Sequence, residues 1–306
     1  MYYKLLDWID INSIVWNGLY CNPKAIHLIS EVLEHNPDNI NWYRLSIAPG
    51  AIHLIEQNLD KINWANLSSN PSAIHLLEQN PDKIDWDMLS GNLGAIHLLE
   101  KNLKYINWFE LSRNPNAINI LEQNPDKIYW DRLSQNPNAI HILEKNIDKI
   151  DWNMLSSNPS AIHLLEQNPD KIVWLELSRN PGAIHLISEA LEKNPDKINW
   201  NMLSCNPGAI HILEQNPDKI ELYWLSLNSN SKAIHLISKF KDKSKINWWW
   251  LSENPEIFTY DYEKIKNQME QSGIKDELLA HYYRPENAHK FMERGDVSVD
   301  FVDRWK

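Results

Sequence analysis

The strongest constraint on this chain is a phrase that it repeats. The stretch NPSAIHLLEQNPDKIDWDMLS, beginning at Asn70, recurs with small changes along most of the 306 residues. Ala-Ile pairs begin at Ala25, Ala51, Ala73, Ala95, Ala117, Ala139, Ala161, Ala183, Ala209 and Ala233, so the basic step is 22 residues, with departures of 26 and 24. Tryptophan keeps the same period at Trp16, Trp42, Trp64, Trp86, Trp108, Trp130, Trp152, Trp174, Trp200 and Trp248; Leu222 fills the one vacant slot, and Trp224 lies two residues out of register. A unit this short cannot bury an apolar face alone, so neighbouring copies must stack.

Each unit parses into two helices. Asn70 is a good N-cap, and Pro71 suits the first helical position, where its missing N–H costs nothing. Helix A runs through PSAIHLLEQ, and Asn80, Pro81 and Asp82 end it with turn chemistry. Asp85 can cap a shorter helix B, WDMLS, in which Trp86 and Leu89 share a face; its length also suits a 3₁₀ turn. The longer units beginning at Ala25 and Ala183 add four residues before the Asn-Pro. That is about one helical turn, which lengthens helix A without rotating its apolar stripe.

These features predict an all-α fold: a right-handed α-solenoid of about ten 22–26-residue helix-turn-helix repeats with terminal caps. The expected divisions are an N-terminal cap over residues 1–20, the repeat solenoid over 21–252 and a C-terminal helical cap over 253–306. Solenoid ends expose apolar surface that must be covered. Leu5, Leu6, Trp8, Ile9 and Ile11 are expected to cover one end. Ile265, Met269, Leu278 and Leu279, edged by Tyr260 and Tyr262, are expected to cover the other.

At about 100° per residue, Ala73, Ile74, Leu76 and Leu77 share one arc of helix A, and His75 falls opposite them, between Glu78 and Gln79. A row of exposed histidines follows: His27, His53, His75, His97, His141, His163, His185, His211 and His235, interrupted by Asn119. Stacked helices lie about 8–10 Å apart, too far for one imidazole per repeat to share a metal ion bound at about 2 Å. Two roles stay open for the row, local hydrogen bonding and a binding or pH-sensing face. Imidazole as a residue type changes charge near pH ~6.5, and protonating all 12 histidines would take the formal charge from −11 to +1.

The tryptophan row, Trp42, Trp64, Trp86, Trp108, Trp130, Trp152, Trp174 and Trp200, reads as structural core at W-x-x-L spacing, with a stacking platform for bases or sugars as the competing role. Positions that vary between repeats are the ones able to read a partner. Phe109, Arg132 and Leu175 are candidates for a protein-binding face, with packing between helices B as the alternative. The histidines His53, His75, His97, His141, His163, His185 and His211 complete that candidate surface.

Composition narrows the function. A net charge of −11 opposes a sequence-independent grip on phosphates, making nucleic acid an unlikely partner. Cys21 and Cys205 form no spaced motif, and no apolar run approaches the roughly 18 residues of a membrane span. An intracellular protein is expected, with neither signal peptide nor transmembrane segment. No nucleotide, hydrolase or metalloprotease motif occurs, so no enzyme, cofactor or metal is expected.

Both the repeated NPSAIHLLEQNPDKIDWDMLS and the closing YDYEKIK…KDELLAHYYRPENAHKF resemble tandem-repeat proteins of giant DNA viruses of amoebae and related protists. Tails of that family often carry His-Pro where this chain has Arg284-Pro285. The resemblance implies expression inside an infected cell and carries no activity onto particular residues. The expected function is therefore a non-enzymatic scaffold for a host or viral protein, with a structural component of the virion or of an intracellular viral assembly as the alternative. A stable monomer would fit the first and self-assembly the second.

Overall fold

The structure, a computed structural model, describes residues 3–272. The chain divides into two compact units, one formed by residues 5–258 and the other by 1–4 with 259–306. The larger is an all-α repeat solenoid.

The unit starting at Asn70 shows how each repeat is built. Asn70 Oδ1 accepts the Ser72 N–H at 3.0 Å, and Pro71 opens a 3₁₀ turn, Pro71–Ala73, that leads into helix A, Ile74–Gln79. The short Asn side chain thus satisfies an amide that a helix start leaves orphaned. A second 3₁₀ turn, Pro81–Lys83, follows, and then helix B, Trp86–Ser90, is α-helical with Asp85 Oδ1 accepting the Met88 N–H at 3.0 Å. The 3₁₀ geometry therefore falls at the Asn-Pro steps and not in helix B. In the two lengthened units helix A grows to ten residues, Ile26–His35 and Ile184–Lys193, against six in Ile74–Gln79.

The core is a strip of small and branched aliphatics. Ala73 and Leu77 of helix A and Leu89 of helix B are 0% exposed. The helix-B leucine stays fully buried in eleven copies: Leu19, Leu45, Leu67, Leu89, Leu111, Leu133, Leu155, Leu177, Leu203, Leu225 and Leu251. Burying a leucine this completely stabilises by about 1.5–3 kcal/mol.

Two polar side chains stitch each repeat to the next. The serine four residues after each Trp slot reaches both ways. Ser68 Oγ donates to Trp64 O at 2.9 Å within its own helix and accepts the Asp85 N–H of the next repeat at 3.0 Å. Ser46, Ser90, Ser112, Ser134, Ser156, Ser178, Ser204, Ser226 and Ser252 make the same pair of bonds. The cap asparagine completes the joint: Asn70 Nδ2 donates to Ser46 O and Ala48 O of the preceding repeat at 3.0 and 3.2 Å. Its side chain is 0% exposed, and these bonds satisfy an otherwise costly buried amide.

The same stitching joins the last repeat to the first. Ser252 Oγ accepts the Val15 N–H at 3.0 Å, and Asn22 Nδ2 donates to Ser252 O and Asn254 O at 3.0 and 2.9 Å. Helix Trp248–Glu253 packs directly on Trp16–Leu19. Lys24 Nζ lies 3.1 Å from Glu256 Oε1, and the Arg44 guanidinium lies over the Trp249 ring at 5.2 Å. The unit is therefore a closed ring of eleven repeats whose closing joint has the chemistry of the others.

Closure revises the expected ends. Residues 15–20, expected in an N-terminal cap, form helix B of an eleventh repeat with Asn22 as the cap asparagine that follows it, because a ring has no free apolar end to cover. Within the ring, Ile9 is buried at 6% exposure whereas Ile11 is exposed at 50%. Trp8 lies beneath Lys243, whose Nζ is 4.7 Å from the ring and donates to Ile237 O and Ser238 O. The expected start of the C-terminal cap at residue 253 also shifts, since Asn254 and Ile257 belong to the ring, Ile257 being 0% exposed.

Two three-residue strands, β1 (Tyr3–Leu5) and β2 (Phe258–Tyr260), pair. In the smaller unit Tyr3 stacks on Tyr260 with centroids 5.1 Å apart, and helix Tyr262–Gln271 follows with Asp261 as its N-cap. Tyr262 is 71% exposed. The proposed capping residues Leu278 and Leu279, and Arg284-Pro285, lie outside the described residues, as does the side chain of Met269.

Candidate functional site

The histidine row is built on the outward side of helix A, where the wheel places it. His53, His75, His97, His141, His163, His185, His211 and His235 are exposed, and His27 is half-buried. Five of them bridge to the glutamate of the preceding repeat. His75 Nε2 meets Glu56 Oε1 at 2.8 Å and His97 meets Glu78 at 2.9 Å, while His141, His163 and His185 meet Glu122, Glu144 and Glu166 at 2.9, 2.7 and 2.7 Å. The Nδ1 of His27 instead lies 2.9 Å from Lys24 O. Asn119 interrupts this ladder, leaving Glu100 without the histidine found at the other steps. The paired side chains remain 44–57% exposed, so each bridge adds at most about 1 kcal/mol.

Among the described residues no group of three or more His, Cys, Asp or Glu side chains converges on a metal position. Burial pushes both thiols, Cys205 and Cys21, above the ordinary cysteine value.

The candidates on helix B separate into two kinds. Leu175 is 47% exposed, as an interface residue should be. Phe109 and Arg132 are half-buried and packed together: the Arg132 guanidinium lies 3.9 Å over the Phe109 ring, which also meets Tyr129 edge-on at 5.5 Å. Phe109 thus serves packing between neighbouring helices B, the alternative open to it from the sequence. Tyr43 at 57%, Met88 at 47% and Tyr223 at 48% exposure join Leu175 among the large side chains that helices B leave in solvent.

The tryptophans correct an expectation. Trp42, Trp64, Trp86, Trp108, Trp130, Trp152, Trp174 and Trp200 are half-buried, and none belongs to the closed core. The indole is too large for the gap between stacked repeats, where leucine and alanine fill the space, so one ring face stays at the surface. Several of these faces are covered by the lysine of the next turn. Lys61, Lys83, Lys149 and Lys197 place Nζ 5.5, 4.6, 4.5 and 4.7 Å from the ring centroids of Trp42, Trp64, Trp130 and Trp174. Cation–π contacts of this kind contribute about 0.5–1 kcal/mol at exposed sites.

One aromatic cluster escaped the sequence reading. Tyr223 and Trp224 meet Trp250 with centroids 4.9 and 5.7 Å apart, and Trp249 beside it carries Arg44 across the closing joint. The signals were the out-of-register Trp224 and the run Trp248, Trp249, Trp250. No helix among the described residues is long and apolar enough to cross a membrane. No protein-family model matches the chain, and no curated protein or solved structure matches it.

Proposed function

We propose that the ring is a non-enzymatic binding scaffold for a protein, met by helix-B side chains that differ from repeat to repeat. The supporting observation is the exposure of Leu175 and Tyr43 on a frame that does not use them. Joints are made by backbone, asparagine and serine, so large apolar groups at these positions are available to a partner. Exposed aromatic and aliphatic anchors are what protein interfaces select, while identical charged positions discriminate poorly. The resemblance to giant-virus repeat proteins would make the partner a host or viral protein.

The reading is tested by comparing three full-length forms as bait in cells that express the protein. One is unchanged, one combines Tyr43→Ser and Leu175→Asn, and one replaces His75, His97, His141, His163 and His185 by Gln. Specific proteins lost from the helix-B variant and retained by the Gln variant are the expected result. Equal capture by all three would remove helix B as the reading face. Concentration-dependent growth in light scattering would instead favour the structural-component role.

A further inference from the structure

One joint of the ring differs from the rest, the one between helix Trp16–Leu19 and helix Trp42–Ile47. Three slots depart there together. Tyr20 stands in the serine slot, where its phenol accepts the Asn41 N–H at 2.7 Å. Ala48 stands in the asparagine slot, and Asn39 stands in the slot from which Lys61, Lys83, Lys149 and Lys197 cover a tryptophan at four other joints. The telling comparison is Lys197, because its repeat carries the same four-residue lengthening of helix A. Lys197 Nζ sits 4.7 Å from the Trp174 centroid, and Trp174 is half-buried. With asparagine in that slot, Trp16 is 45% exposed.

The uncovered indole borders a cleft of about 280 Å³. Its walls include Trp16, Ile29, Val32 and Tyr20, and the amides of Asn17, Asn36, Asn39 and Asn41 also line it. Asn41 Nδ2 donates to Asn17 Oδ1 at 3.0 Å, which orients both side chains. The side chains of Asn36 and Asn39 make no hydrogen bond with the described residues, and no charged side chain lines the cleft.

Each carboxamide offers donors and an acceptor without a charge. An aromatic face edged by such groups suits a ligand with C–H groups across its flat side and hydroxyls at its rim. A phosphate or carboxylate would find no cation there, and a purely apolar guest would strip water from the amides without replacing their hydrogen bonds. The volume fits one six-membered ring. We propose that this cleft binds a single neutral pyranose, free or as the end of an oligosaccharide, stacked on Trp16 with its hydroxyls held by Asn17, Asn36 and Asn39. It does not depend on the exposed Tyr43 and Leu175 proposed to meet a protein.

The test uses the full chain in saturation-transfer NMR and calorimetry against methyl glucoside, methyl galactoside, methyl mannoside and methyl N-acetylglucosaminide, with adenosine as a flat aromatic comparator. At least one pyranoside should bind in the millimolar range. Asn39→Lys should bring an ammonium over Trp16 as Lys197 does over Trp174, and should weaken binding by about tenfold or more without lowering Tm. Trp16→Ala should weaken it as much, and Lys83→Gln at another joint should leave it unchanged. No binding by any pyranoside, binding that survives Asn39→Lys, or tighter binding of adenosine would each overturn the assignment.

Discussion

Gly18 gives ring closure its sharpest test. The corresponding position in the other repeats holds Arg44, Asn66, Met88, Glu110, Arg132, Met154, Glu176, Met202, Trp224 and Trp250, so the repeat itself tolerates a side chain there. At the closing joint it does not. A Cβ on Gly18 would lie 2.7 Å from Trp249 O and 2.9 Å from Ser252 Cβ. These are a backbone atom and the first atom of a side chain, so helices Trp16–Leu19 and Trp248–Glu253 would have to part by several tenths of an ångström. Overpacking of this kind costs about 1–3 kcal/mol, offset by up to about 1 kcal/mol because alanine is stiffer than glycine in the unfolded chain and favours helix. The expected net loss for Gly18→Ala is at most about 3 kcal/mol and centres on about 1.5 kcal/mol, a fall in Tm of about 3–6 °C at this chain length.

Gly91→Ala is the matched control, since its Cβ would meet nothing nearer than 3.6 Å; it should be neutral or stabilising by about 0.4–1 kcal/mol. Thermal melts followed by circular dichroism compare the two. Amide exchange at Val15, whose N–H is held by Ser252 Oγ, localises any opening to the joint. Opposite signs for the two substitutions, with faster exchange at Val15 in the Gly18 variant, are expected. A Gly18→Ala protein as stable as the parent, with Val15 still protected, would refute a tight closed ring.

Other substitutions test the joints and the core. Asn136→Ala removes donors to Ser112 O and Asn114 O and the acceptor for the Asn138 N–H; leaving buried groups unpaired should cost about 1–3 kcal/mol in denaturant unfolding, and no measurable loss would contradict a structural rung. Leu89→Ala should cost about 2–5 kcal/mol and Trp86→Ala less, because Leu89 is 0% exposed and Trp86 half-buried; the reverse order would restore tryptophan to the core. Tyr20 supplies a pH signature, since burial holds its phenol above the ordinary tyrosine value against the opposing Asn41 N–H bond. The folded state then keeps the proton longer than the unfolded chain, so this contribution is complete below about pH 10 and is lost as pH rises through the folded value. Tyr20→Phe should lower Tm at neutral pH, and its deficit against the parent should shrink in melts run above about pH 10; a deficit that grows would reverse the sign.

Much of the candidate surface was legible locally. Helix periodicity is enough to put His75 opposite Leu77, and nearest-neighbour stacking puts it within reach of Glu56 one repeat back. Phe109 and Leu175 share a slot in helix B, yet one packs and the other is exposed. The difference lies in what the following repeat offers: Arg132 and Tyr129 reach Phe109, a relation between side chains that no single repeat contains. The Trp16 cleft was hidden for a similar reason. Its substitutions at Tyr20, Asn39 and Ala48 look like ordinary scatter until stacking brings them to one joint.

By itself the sequence determined the repeat length, the Asn-Pro caps, the helix pair and the buried face of helix A, because each depends on contacts a few residues apart. Tertiary structure alone decided that eleven repeats close on themselves, that serine and asparagine are the stitches, and that tryptophan stays half in solvent. Closure depends on a small rotation at every joint summed around the array. No single repeat reveals whether that sum completes a circle; Val15 meeting Ser252 and Asn22 meeting Asn254 do.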